Sequence, residues 1–134
     1  MADGIVIFAH GSRIESANEA VRAVAAALAR SADARVLPAA LARSASARVV
    51  AAFLELGEPD LETAASRLAG LGVTRLVIVP YFLTLGIHME RDLPRIAERI
   101  SLMHQGLEVI IAPPLDGHPA LLQILQDRVR EALS

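Results

Sequence analysis

The chain has 134 residues, a formal net charge of −2, 54% apolar and 3% aromatic residues, and no cysteine. That length suffices for a single domain over residues 1–134 with a real core. The charge and the scarcity of aromatics argue against nucleic acid and anionic lipid as partners, and the lack of cysteine excludes disulfides, zinc–thiolate sites and iron–sulfur clusters.

Any metal must therefore be met by His, Asp, Glu or backbone oxygen. No apolar run approaches the roughly 18 residues of a membrane span. The opening MADGIVIF carries an acid where a secretion signal would be basic, and its apolar stretch is short. A cytoplasmic location with no membrane partner is expected. All 13 basic residues are Arg, which reads as compositional bias rather than function.

Four short apolar runs alternate with four helical patterns. Residues 5–9 (IVIFA) are almost continuously apolar and rich in β-branched side chains, as in a strand covered on both faces. Ser16 and Glu19 have the spacing of a capping box, and Val21, Val24 and Leu28 then share a helical face. Residues 49–56 (VVAAFLEL) form the second run. Pro59 and Asp60 open the next helix, with Leu61, Ala65, Leu68 and Leu71 on one face and Gly70 and Gly72 ending it. Residues 76–79 (LVIV) are the clearest strand, followed by an apolar loop over 81–87. Leu93, Ile96, Ile100 and Met103 repeat at helical spacing, behind a start marked by Pro94. Residues 109–112 make the fourth strand, and GHPALLQILQDRVREAL the last helix, with Pro119 in its first turn.

This fourfold βα alternation predicts an α/β fold with a parallel sheet and helices on both faces. Ligands of such sheets bind beyond the carboxyl ends of the strands. The distinctive sequences all fall there: HGSR after the first strand, Glu55 after the second, YFLTLGIH after the third and PPLDGHP after the fourth.

One segment departs from this regularity. ALARSADARVLPA at 27–39 is followed at once by ALARSASARVVAA at 40–52, with ten of 13 aligned positions identical. The period is too short for a solenoid, so 27–52 reads as a local tandem duplication. Only one copy can lead into the second strand, and the first is expected to form surplus helix or loop.

The four histidines divide by context. His104 ends a helical pattern, where an imidazole suits the dipole and solvent. His118 precedes Pro119 and fits a helix N-terminus. His10, in AHGSR, stands at a strand end. Gly11 allows a tight turn there, and Ser12 and Arg13 add donors near a helix start, so phosphate binding is one reading. A phosphohistidine enzyme is a sharper variant, but its usual RHG order would need Arg where Ala9 stands. Glu55 sits among apolar residues, where a carboxylate is costly unless paired or employed. Its alternatives are a turn cap, or Glu58 facing the cleft in its place. His88 follows the oily loop and is either a functional side chain or an incidental one beside a subunit interface.

In this order, AHGSR, AFLELGEP, VPYFLTLGIHMERDLP and APPLDGHP resemble the small class II chelatases of the CbiX/SirB type. Those proteins insert cobalt or iron into sirohydrochlorin on the routes to cobalamin and siroheme. The resemblance spans nearly the whole chain apart from the duplicated segment. It implies a chelatase-like (flavodoxin-like) three-layer fold with a four-stranded parallel sheet, and a homodimer. By motif position it implies His10, Glu55 and His88 as catalytic residues, with His10 and His88 holding the metal; His118 matches a motif position without being a ligand.

Such chemistry suits these residue types. Metal insertion strips water from a divalent ion and removes two protons from ring nitrogens. Neutral imidazoles hold first-row ions without sulfur and titrate near neutrality. Glu55 would add an oxygen ligand or accept a ring proton. Tyr81 and Leu85, in the apolar loop, would lie against the flat tetrapyrrole, and Ser12, Arg13 and Arg91 would meet its peripheral carboxylates. The metal is then a substrate, Co²⁺ first with Fe²⁺ or Ni²⁺ as alternatives, and no organic cofactor is expected. The rival expectation is a non-catalytic tetrapyrrole or metal carrier.

Overall fold

In the computed structural model, which describes residues 3–31 and 48–134, strand β1 (Asp3–Ala9) runs through the middle of a four-stranded sheet. It pairs in parallel with β2 (Val49–Phe53) on one side, from Ile5↔Val49 to Ala9↔Phe53, and with β3 (Arg75–Pro80) on the other, from Asp3↔Arg75 to Phe8↔Pro80. β4 (Glu108–Ile111) extends the sheet beyond β3, giving the order β2-β1-β3-β4. Among the described residues four helices separate and follow the strands: α1 (Glu15–Arg30), α2 (Leu61–Gly70), α3 (Ile87–Met103) and α4 (Pro119–Leu133).

The continuous apolar run of β1 is explained by burial on two faces. Ile5, Ile7 and Ala9 join Val49, Ala51 and Phe53 beneath Ala25 and Ala29 of α1. Val6 and Phe8 point the other way, with Ala52, Leu76 and Ile78, against Leu61, Ala64, Ala65 and Leu68 of α2 and Leu93, Ala97 and Ile100 of α3. Alternate residues of one strand thus serve two cores. Each fully buried Leu or Ile contributes about 1.5–3 kcal/mol of apolar burial. α4 has no buried residue.

Several boundaries differ from the sequence expectation. The Ser16–Glu19 capping box does not form: α1 begins at Glu15 behind Ile14, with no side-chain cap. Instead the Ser12 hydroxyl accepts from the Ile14 amide at 3.0 Å, and Glu19 pairs with Arg22. The buried face of α1 is Asn18, Ala25 and Ala29, while Val24 is exposed. β2 stops at Phe53 rather than Leu56, because the chain turns as Phe53 donates back to the Pro59 carbonyl at 2.9 Å. Leu71 and Met103, assigned to buried faces by spacing, are exposed at helix ends. α3 begins at Ile87, so Pro94 lies inside it instead of marking its start, and His88 belongs to its first turn rather than to a loop.

The duplicated segment is described only at its margins. The head of the first copy, Ala27 to Arg30, forms the last turn of α1, and the tail of the second, Val49 to Ala52, is β2. The expectation of surplus helix or loop between them falls on residues outside those described.

Candidate functional site

β1 and β2 stay paired past their ends. Leu54 donates its amide to the Ala9 carbonyl at 2.9 Å, and Glu55 donates to the His10 carbonyl at 3.0 Å. This backbone zipper sets His10 and Glu55 side by side, with Nε2 of one 3.6 Å from Oε1 of the other. Both side chains are 57% exposed, so the pair stands on an open edge rather than in a closed cavity.

Gly11 permits that approach. Its φ is +94°, and a Cβ there would stand 1.7 Å from the Glu55 carbonyl oxygen. No other residue type fits without parting the two loops.

In the neutral His10 ring the tautomer follows from its neighbours. Nδ1 lies 3.3 Å from the Gly11 carbonyl, which can only accept, so Nδ1 carries the proton. In that neutral form the Nε2 lone pair faces a carboxylate oxygen. Two lone-pair donors 3.6 Å apart suit a shared cation: metal bonds of about 2.1 Å to each would span that gap. A proton in transit could occupy the same gap.

Asn18 was missed in the sequence, and it ties the two loops together. It is 1% exposed. Its Oδ1 accepts from the Ser12 amide at 2.9 Å, and its Nδ2 donates to the carbonyls of Ser12 and Leu56, each at 2.9 Å. A longer contact reaches Glu15 Oε2 at 3.3 Å. Its only sequence signal is position: Asn18, Ala25 and Ala29 recur at helical spacing, which puts an amide among alanines on the buried face. Glu15 in turn is held below the usual carboxylate range, first by Arg22 and then by Asn18.

Ser12 is partly buried, and its backbone and hydroxyl oxygen are engaged internally. Arg13 is exposed beside it. Tyr81 continues the β1–β3 pairing, donating its amide to the Phe8 carbonyl at 2.7 Å, and its side chain is exposed. Phe82 turns inward onto Phe8, edge to face at 6.1 Å, while Leu83 and Ile87 are exposed and Leu85 is half-buried. Leu115 and Asp116 donate to the Phe82 and Leu83 carbonyls, fastening this loop to the one after β4.

His88 is not gathered with His10 and Glu55. Among the described residues no group of three or more His, Asp or Glu is arranged to hold a metal ion. His10 and Glu55 leave adjacent strands, whereas His88 leaves the first turn of α3, beyond β3. Arg91 lies 3.3 Å from its Nδ1 and can only donate, so the proton of the neutral ring sits on Nε2. That exposed contact engages the Nδ1 lone pair of His88. His118 caps α4, its Nδ1 accepting from the Ala120 amide at 3.0 Å. His104 ends α3, with Nε2 3.1 Å from the Ser66 hydroxyl.

Comparison with known proteins sets this geometry in context. The family model described as CbiX matches residues 4–132. The chloroplastic sirohydrochlorin ferrochelatase of Arabidopsis thaliana is 29% identical over 133 residues, covering 99% of this chain and 54% of that protein. The sirohydrochlorin cobaltochelatase of Methanopyrus kandleri is 26% identical, covering 96% of each. This chain thus spans about half the length of the plant relative and nearly all of the archaeal one. Among solved structures, a CbiX protein described as a putative cobalamin biosynthesis protein, from Marinobacter aquaeolei VT8, superposes with a TM-score of 0.78. It is 30% identical and covers 98% of this chain and 97% of that one. The cobalt complex of the SirB chelatase from Bacillus subtilis subspecies spizizenii shares the fold, with a TM-score of 0.74 at 22% identity over 98% of this chain and 51% of that one.

Proposed function

The chain belongs to the CbiX family, and from that premise we propose that it is a sirohydrochlorin chelatase inserting a divalent metal, cobalt before iron or nickel, into the tetrapyrrole. The observation that carries this reading is the His10–Glu55 pair, two lone-pair donors 3.6 Å apart on an open strand edge. A site of only two protein donors leaves most of the ion's coordination free. The ion can then exchange water for ring nitrogens and leave, which a closed four-ligand cage would prevent.

Once the ion has moved, the same pair stands vacant beside the ring and can take up a proton. His88 is the second candidate acceptor, after release from Arg91. The exposed apolar side chains of Leu83, Ile87 and Tyr81 suit the flat face of the macrocycle. Arg13, Arg91 and the Ser12 hydroxyl are the candidates for its carboxylates. We assign the protein to the cytoplasm as a homodimer of single-domain chains. The exposed apolar stripe of α4, Leu122, Leu125, Val129 and Leu133, supports the pairing.

Purified protein mixed with sirohydrochlorin and Co²⁺, Fe²⁺ or Ni²⁺ tests this through the absorption change on metallation. Turnover faster than the spontaneous reaction is expected, with Co²⁺ giving the largest acceleration. Stoichiometric binding without acceleration by any of the three would instead identify a carrier.

A further inference from the structure

We propose that Asn18 is the positioning residue of this site: its buried amide sets the spacing of His10 and Glu55 by clamping the two loops that carry them. The inference rests on the chelatase reading for its kinetic consequence, but not for its structural one. His10 and Glu55 are each 57% exposed, so packing does not hold them. Their separation is inherited from the backbone. On the strand side that backbone is fixed by the Ala9–Leu54 and His10–Glu55 hydrogen bonds.

Beyond those bonds, Asn18 spans the two loops. Ser12 stands two residues beyond His10, and Leu56 one residue beyond Glu55. Asn18 bonds both the amide and the carbonyl of the first and the carbonyl of the second, all at 2.9 Å. Leu56 has a φ of +57°, a conformation costly for a branched side chain and sustained by surrounding bonds. Gly57 leaves the room, since a Cβ there would stand 3.1 Å from Asn18 Nδ2 and 2.9 Å from the Phe53 ring.

The task requires one acceptor and two donors from a single short side chain, which is the inventory of an amide. Only one amide orientation satisfies an N–H and two carbonyls together. Alanine would serve the packing of α1 equally well, as it does at 25 and 29, but could make none of these bonds.

The test begins without metal or tetrapyrrole. In otherwise native protein, Glu55→Gln should shift the His10 ring resonances in NMR spectra; in Asn18→Ala it should leave them unmoved, because the rings and carboxylates no longer share a fixed spacing. Asn18→Asp, of equal size but unable when ionised to donate to either carbonyl, should behave like Asn18→Ala. In the insertion assay, Asn18→Ala should lower kcat about 100-fold, with KM for the tetrapyrrole held within about twofold. Native circular dichroism is expected in both variants, because every bond of the clamp lies outside the sheet. An effect of Glu55→Gln on His10 that survives in Asn18→Ala would overturn the proposal. So would its absence in the native background, or loss of the fold in both variants. A native protein without turnover would remove the chelatase reading while leaving the resonance comparison to judge Asn18.

Discussion

Gly11 constrains the site more tightly than either ionisable side chain beside it. A Cβ at this position meets the Glu55 carbonyl oxygen at 1.7 Å, on backbone that already has φ +94°. Gly11→Ala should therefore push the two loops apart, costing about 1–3 kcal/mol of stability and most of the insertion activity. Urea denaturation reads the first and the absorption assay the second; an unchanged midpoint would mean that the loops yield freely. The residue scale also shows what pattern reading cannot reach. His10 and Glu55 were legible because strand ends are where parallel sheets bind ligands. Asn18 was not, because its partner Leu56 lies 38 residues away and is bonded through its carbonyl, which carries no side-chain signature.

Individual elements repeat that lesson. The buried strands announce themselves by β-branched runs, and β1 and β3 lie where those runs are. α3 starts earlier than its sequence suggests, since Gly86 caps it through backbone alone and Pro94 sits within it. α2 was marked by a side chain: Asp60 accepts from the Thr63 amide at 2.7 Å. Bonds from Thr63, side chain first and backbone second, hold the Asp60 carboxyl below its ordinary value. A lowered folded value means that this cap is complete above the ordinary carboxylate range and is lost as pH falls through the folded value. Asp60→Ala should cost about 1 kcal/mol at neutral pH. Asp60→Asn should keep the cap and flatten the loss of stability below about pH 4. Thermal melts across that range check both, and an acid limb unchanged in Asp60→Asn would assign the pH dependence elsewhere. In α3, Leu93→Ala should cost about 2–5 kcal/mol in the same melts, because the side chain is 1% exposed in the larger core; a loss within 0.5 kcal/mol would contradict that packing.

At the scale of the whole molecule, α4 stands out for having no buried residue. Leu125 and Val129 of α4 are 57% and 58% exposed, and an apolar stripe of that kind marks an interaction surface. In the proposed homodimer, Val129→Asp should convert dimer to monomer in sedimentation velocity, while leaving the monomer's circular dichroism intact. A native protein that sediments as a monomer, or a variant that stays dimeric, would remove α4 from the interface. The α/β architecture was legible from the alternation of patterns, and the sheet order β2-β1-β3-β4 places the first motif between its partners. The three expected site residues are placed unequally. Two leave adjacent strands and meet, while the third, on α3, is turned to Arg91.

The central claim is that His10 and Glu55 together handle the ion and its exchange for protons. The most direct measurement is the rate of Co²⁺ insertion into sirohydrochlorin by native protein, His10→Ala and Glu55→Ala, side by side. Each substitution should lower the rate at least about 100-fold, as expected for loss of a positioned acid–base or ligand group, with circular dichroism unchanged. Folded variants that insert cobalt as fast as the native protein would contradict the account.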